Sequence, residues 1–275
     1  MCFVFVAIIL YFGDEKLWIS IDCQGSKQHG KGDKMEVIKA ENLIKNYRNT
    51  KVLRNINLEV REGEFIGIMG KSGSGKTTLL KTLGMIEPIS DGKLFYKHHE
   101  INKISDKEAS RIRREELGFI FQEFFLMPSL NAIENVMLPL FLSKSANDNG
   151  KSKAKELMKN FEVDALADKT PDELSGGERQ RIAICRALIN NPQIIFADEP
   201  TGNLDSKSGQ IVIKALQEIN SELSKTVIMV THDPQMASYC ERIVLLKDGE
   251  VLDQLNKTNA QDEFYKQIIE SMIKL

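Results

Sequence analysis

From Met35 onward the chain switches between two textures. "EVIKAENLIKNY" and "NINLEV" alternate apolar and polar residues, the pattern of strands with one face buried. "EFIGIMG", "LGFIF", "QIIFADE" and "TVIMVTH" are instead short continuous apolar runs, which predict strands buried on both faces. Between them lie helical patterns: "TTLLKTL" starting near Lys76, "SDKEASRIRREE" with Ser105 and Glu108 as a capping box, "AKELMKNF", "ERQRIAICRALI" and "SKSGQIVIKALQEIN". "KLFYK" reads as a short strand, and "RIVLLKDGEVL" as two strands around an Asp248-Gly249 turn. Buried strands separated by helices predict an α/β fold with a mainly parallel sheet covered on both faces. An antiparallel β portion precedes that sheet, and a helical subdomain is inserted at about residues 123–189. No internal repeat is visible.

The first residues break this pattern. "MCFVFVAIILYF" is about a dozen residues long, against roughly 20 for a membrane-spanning helix. It is not a secretory signal either, because the first positive charge, Lys16, follows the apolar run instead of preceding it. The segment "CQGSKQHGKGDK" is polar and aperiodic. Residues 1–34 are therefore expected to be a non-native or disordered leader to a domain spanning 35–255, with a helical extension over 256–275. Lys31 to Met35 can be back-translated, with one choice of codons, to a purine-rich ribosome-binding sequence ahead of a start codon. The alternative is a genuine N-terminal extension, either floppy or lying on a membrane surface.

Composition narrows the class. With 42% hydrophobic and 28% charged residues, the 275-residue chain is neither disordered nor a membrane bundle. Its net charge of −2 argues against a dedicated nucleic-acid binder, which carries a basic surplus. Cys2, Cys23, Cys185 and Cys240 form no CxxC pair, so they read as free thiols, with no zinc site or disulfide framework.

The chemistry is concentrated in two places. "GKSGSGKTT", comprising Gly70, Lys71, Ser72, Gly73, Ser74, Gly75, Lys76, Thr77 and Thr78, fits G-x-x-x-x-G-K-[ST] between a strand and a helix. The glycines let successive backbone N–H groups face phosphate oxygens, and the helix N-terminus adds a positive end. Lys76 is placed to reach the outer phosphates and Thr77 to offer its hydroxyl to Mg²⁺. The core is thus a P-loop NTPase core. At the carboxyl end of "IIFADE", Asp198 is placed to hold Mg²⁺ through water and Glu199 to orient the attacking water.

"LSGGERQR" narrows the field. Leu174, Ser175, Gly176, Gly177 and Glu178 sit at a predicted helix N-terminus, where N–H groups and a short hydroxyl bind an anion or simply cap the helix. At this point the chain resembles the ATP-binding subunits of ABC transporters, from roughly Met35 to Leu252. The resemblance implies that this motif completes the ATP site of a second copy, so that two chains sandwich two ATPs head to tail. It also implies that Gln122 contacts Mg²⁺ and the water, that Asp205 in "TGNLD" crosses the dimer interface, that His232 contacts the terminal phosphate, and that Tyr47 stacks on adenine. With Glu199 present and no element missing, it implies a hydrolysing site, with ATP and Mg²⁺ as cofactors.

The same resemblance places a docking groove for a permease helix near Phe124, Phe125, Leu126 and Met127. The permease is expected to be a separate chain, which puts this one at the cytoplasmic face of a bacterial membrane. "PSLNAIENVMLPL" and "TGNLD" look most like the subgroup of lipoprotein-releasing, macrolide-exporting and bacitracin-type peptide-resistance ATPases. The tail, with Phe264, Ile268 and Met272 on one helical face, is similar to the extension of bacitracin-type members, or is a helix packed on its own core. The expected function is ATP-driven export or detoxification of antimicrobial peptides or lipid-linked compounds. The alternative is a mechanical ATPase of the cell-division type. A soluble DNA-repair or translation role is disfavoured, because there is neither a long coiled-coil insert nor a second cassette.

Overall fold

A computed structural model describes residues 6–12, 15–21, 35–143, 149–258 and 260–275, the first two ranges as backbone only. Val6–Phe12 (β1) and Glu15–Ile21 (β2) pair antiparallel as a separate two-stranded sheet. Both segments are rich in the β-branched and aromatic residues that favour strands. The rest of the expected leader lies outside the described residues.

A four-stranded antiparallel sheet follows. It is built from Glu36–Tyr47 (β3), Thr50–Arg61 (β4), Asp91–Tyr96 (β6) and His99–Glu100 (β7), in the order β4-β3-β6-β7. The main sheet has six strands: Phe65–Met69 (β5), Leu117–Phe121 (β8), Ile194–Asp198 (β9), Thr226–Val230 (β10), Arg242–Lys247 (β11) and Glu250–Asn256 (β12). Their order is β12-β11-β5-β10-β9-β8, parallel except for β12, which returns antiparallel to β11. This is the α/β architecture expected from the alternating patterns.

Among the described residues, eight α-helices complete the fold: Lys76–Leu83 (α1), Asp106–Glu115 (α2), Ala132–Leu142 (α3), Gly150–Asn160 (α4), Gly176–Leu188 (α5), Ser206–Leu223 (α6), Pro234–Ala237 (α7) and Gln261–Met272 (α8). α2 starts where expected, with Ser105 accepting the Glu108 N–H at 3.2 Å. Only half of the capping box forms, because the Glu108 carboxylate turns to Arg111 instead. A complete box forms on α3, where Asn131 and Glu134 exchange bonds of 2.9 Å.

Every residue of β5, β9 and β10 is buried, which explains why these strands read as continuous apolar runs. Successive residues feed two cores on opposite faces. Ile66, Ile68, Phe196 and Val230 pack with Leu43, Leu53 and Ile56 of the antiparallel sheet and with Leu79 and Leu80 of α1. Phe65, Met69, Ile195 and Met229 pack with Ile182, Val212 and Leu216 from α5 and α6. Phe264 and Ile268 of α8 join that second core, so the tail helix does pack on its own domain. Each such side chain contributes about 1.5–3 kcal/mol by leaving water. The resulting sheet carries β5, β9 and β10 side by side, with their carboxyl ends at one edge.

Cys185 and Cys240 are free and buried, and burial pushes both thiols up, which makes them inert. One half-buried pair is poorly accommodated. Glu218 and Glu222, one turn apart on α6, each hold a buried carboxylate oxygen without a hydrogen-bond partner. Burial first, and Glu222 second, push Glu218 up to about 7 from the ordinary 4.5. A raised folded-state pKa means the stability associated with the neutral form is complete below about 4.5 and is lost as pH rises towards 7. Glu218→Gln is therefore expected to match the parent in thermal midpoint near pH 4. Its advantage should grow between those two values and stay level above them, as a pH series of thermal melts will show.

Candidate functional site

β5 delivers the chain into the glycine-rich loop, and α1 begins at Lys76. A Cβ on Gly70 would lie 2.2 Å from the Leu246 carbonyl oxygen and 2.6 Å from Ser74 Oγ, so only glycine lets the loop pass this close to β11. Gly73 (φ 78°) and Gly75 (φ 100°) take left-handed conformations that curl the loop around its own N–H groups. Gly75 caps α1 without any side-chain bond, leaving the first helical N–H groups directed into the loop. Ser74 Oγ is buried and has no protein partner. Lys76 Nζ donates to the Lys71 carbonyl at 2.8 Å, folding the cation over the loop. Burial lowers the Lys76 pKa, while Glu199 and Asp198 act to keep it charged.

The acidic pair arrives from the end of β9. Asp198 Oδ1 accepts from Thr77 Oγ1 at 2.9 Å, joining the first turn of α1 to the carboxyl end of the sheet. Burial raises the Asp198 pKa against the opposing pull of Thr77 and Lys81. Glu199 leaves the strand with φ 45°, a strained left-handed turn for a residue with a Cβ. That turn brings Glu199 Oε2 to 3.1 Å from Nδ1 of His232, which follows β10. One cavity of ≈ 750 Å³ is lined by the glycine loop with Lys76, Thr77 and Thr78, and by Glu199 and His232. Phosphate donors, a cation and an acid–imidazole pair thus face one space.

Other predicted residues sit around this cavity or away from it. The Gln122 amide packs against the turn after Glu199, where a Cβ on Gly202 would meet its Nε2 at 2.8 Å. Asn203 holds the same residue by donating to the Gln122 carbonyl at 2.9 Å. Tyr47 donates its hydroxyl to Glu87, lies under Lys45 Nζ at 4.9 Å, and is close enough to Thr78 for a hydrogen bond to affect its pKa. Asp205 caps α6, accepting from the N–H groups of Lys207 and Ser208 at 3.0 Å. Leu174 is buried, and Ser175 caps α5 in a reciprocal box with Glu178. None of Leu174, Ser175, Gly176, Gly177 and Glu178 lines the cavity of their own chain.

Known proteins share this arrangement. The family model described as ABC transporter matches residues 53–202, just over half of the chain, including the glycine loop, "LSGGE" and the acidic pair. The chain belongs to the ABC transporter family. It is an ATP-binding ATPase subunit, 42% identical over 242 residues to the bacitracin export ATP-binding protein BceA of Halalkalibacterium halodurans. That match covers 86% of this chain and 96% of BceA. The macrolide export ATP-binding/permease protein MacB of Campylobacter jejuni is 43% identical, over 85% of this chain and 36% of its own length. Among solved structures, the dimeric post-hydrolysis state of the cassette MJ0796 of Methanocaldococcus jannaschii, bound to ADP and Pi, superposes with a TM-score of 0.76. It shares 42% identity and covers 81% of this chain and all of that one.

The cavity also has lining residues that motif reading missed. Val52 of β4 and Met272 and Leu275 at the end of α8 line the cavity beside the glycine loop. Lys247 Nζ anchors that end of the chain by donating to the Lys274 carbonyl at 2.8 Å. The only signal for Met272 was its place on the apolar face of the tail. Asn135, fully buried on α3, holds the loop after Gln122 through bonds to Met127, Leu130 and Asn131. An asparagine on an apolar helical stripe was its one mark in the sequence.

Proposed function

We propose that this chain hydrolyses ATP as a head-to-tail dimer and drives a separate permease exporting antimicrobial peptides or lipid-linked compounds. The observation that carries the reading is the convergence of Lys76, Thr77, Glu199 and His232 on one cavity that Ser175–Gly177 do not line. In this reading the matching motif of a second copy supplies the remaining phosphate donors. BceA is by name a bacitracin exporter, and its near full-length likeness to this chain supports the cargo class.

In this mechanism the loop N–H groups and Lys76 bind the outer phosphates of ATP. Thr77 Oγ1 and Asp198 are hard oxygen donors 2.9 Å apart beside the phosphate cradle, with Gln122 nearby, a set that suits Mg²⁺. When bound there, Mg²⁺ would neutralise charge on the phosphates. Glu199 orients the attacking water and accepts its proton, and His232 fixes the carboxylate through the 3.1 Å contact. Tyr47 offers its ring to adenine, and Asp205 lies on the dimer face.

The groove beside Phe125 takes a permease helix. Phe125 is 58% exposed and Leu142 62%, and nothing in the described fold covers them. Among the described residues, no helix is long and apolar enough to cross a membrane itself. The cargo is tested by placing Glu199→Gln at the native locus and measuring growth against bacitracin and a macrolide. Increased sensitivity to bacitracin alone supports the peptide class. Increased sensitivity to the macrolide alone, or to neither, contradicts it.

A further inference from the structure

The groove at Phe125 is apolar in shape and cationic in charge. Its cavity, ≈ 470 Å³, runs between β8, α2, α3 and α5. Arg113, Arg114 and Arg186 line it together with Phe119, Phe121 and Leu138, and no aspartate or glutamate does so among the described residues. In a chain of net charge −2, three cations without an acid in one groove is a local excess.

Among the described residues, these arginines have no carboxylate partner. The acids of α2 and its C-terminus are engaged with other cations: Glu108 and Glu115 with Arg111, and Glu116 with Lys97. Arg113 donates only to neutral acceptors, the Met85 carbonyl at 3.0 Å and Ser110 Oγ at 2.8 Å. Arg114 Nε is buried without a partner. Arg186 donates to the carbonyls of Phe124 and Phe125, two consecutive residues with φ of 61° and 46°. Burial with no compensating carboxylate pulls the Arg186 guanidinium down to about 10. A desolvated guanidinium gains most from a carboxylate that it can bind in the same dry space.

We infer that the groove receives an apolar helix of the permease that carries a carboxylate on its buried face, bound by Arg114 and Arg113. This rests on the reading of the groove as the permease dock and adds the chemistry of what enters it. Arg186 completes the cationic floor while fixing the loop that follows Gln122. The carboxylate would sit within reach of the α2 arginines, with flanking leucine or phenylalanine side chains against Phe125 and Phe121.

The probes are three capped amphipathic peptides of about 18 residues, long enough to hold helix. They carry leucine and phenylalanine along one face and Glu, Gln or Lys at the centre of that face. Binding to the full chain is measured by fluorescence anisotropy. The Glu peptide is expected to bind about tenfold more tightly than the Gln peptide, and the Lys peptide more weakly than both. Arg114→Gln should remove the preference for Glu over Gln, and Arg113→Gln, an independent variant should the first not fold, should reduce it. Phe125→Ser should weaken all three alike. If the three peptides bind equally and Phe125→Ser still weakens them, the carboxylate inference is overturned and the dock survives. If no peptide binds, both fail. Arginine-dependent binding to anionic phosphatidylglycerol vesicles in preference to the Glu peptide would assign the cations to lipid and overturn the inference.

Discussion

Glu199→Gln is expected to lower ATP turnover by about 10²–10⁴-fold, the usual contribution of a positioned general base. Glutamine keeps the size and the hydrogen bond to His232 but cannot accept a proton. The left-handed turn at Glu199 is set by the end of β9 and by its N–H bond to the Val230 carbonyl at 3.0 Å, neither of which depends on the carboxylate. ATP affinity should therefore be retained while turnover falls. A steady-state assay with a parallel nucleotide-binding titration separates the two. A variant with normal turnover would remove Glu199 from the chemistry.

Lys76→Met should act on the other parameter. A hydrogen bond to a charged group is worth about 1.5–3 kcal/mol, so ATP affinity should drop by roughly 10–100-fold. Folding without nucleotide should change little. The variant loses the bond to the Lys71 carbonyl, but it also removes a cation whose charge burial disfavours. Calorimetric titration of ATP together with a thermal melt of the free protein checks both statements. Unchanged affinity would contradict the assignment of Lys76 to phosphate.

The parts of this site that were legible in the sequence are those encoded by contiguous spacing. Gly70 to Thr78 is one strand–loop–helix unit whose glycines are fixed by a close approach and two left-handed turns, and such constraints leave a local signature. The acidic pair was legible because a fully buried strand reads as a continuous apolar run, so its end is visible. The two-layer fold followed from the same contrast between alternating and continuous patterns. Contacts made by distant segments left no such mark. Met272 and Leu275 reach the glycine loop only because α8 packs across the second core, and helical periodicity shows that a face is buried without showing against what. The half-formed box at Ser105 fails for a similar reason, since Arg111 competes for Glu108 from the next turn.

The central claim is that catalysis requires the signature of a second copy over the cavity of the first. Sedimentation equilibrium of Glu199→Gln at saturating ATP and Mg²⁺ tests it most directly, with Gly176→Glu added in a second preparation. Gly176 is suited to this, because a Cβ there meets its nearest neighbour, the Asn203 carbonyl, at an ordinary 3.6 Å. The chain can therefore fold around the substitution while the new carboxylate repels phosphate. The account predicts twice the 31.1 kDa chain mass for Glu199→Gln and a monomer for the double variant. A Glu199→Gln chain that stays monomeric with ATP, or a dimer indifferent to Gly176→Glu, would contradict it.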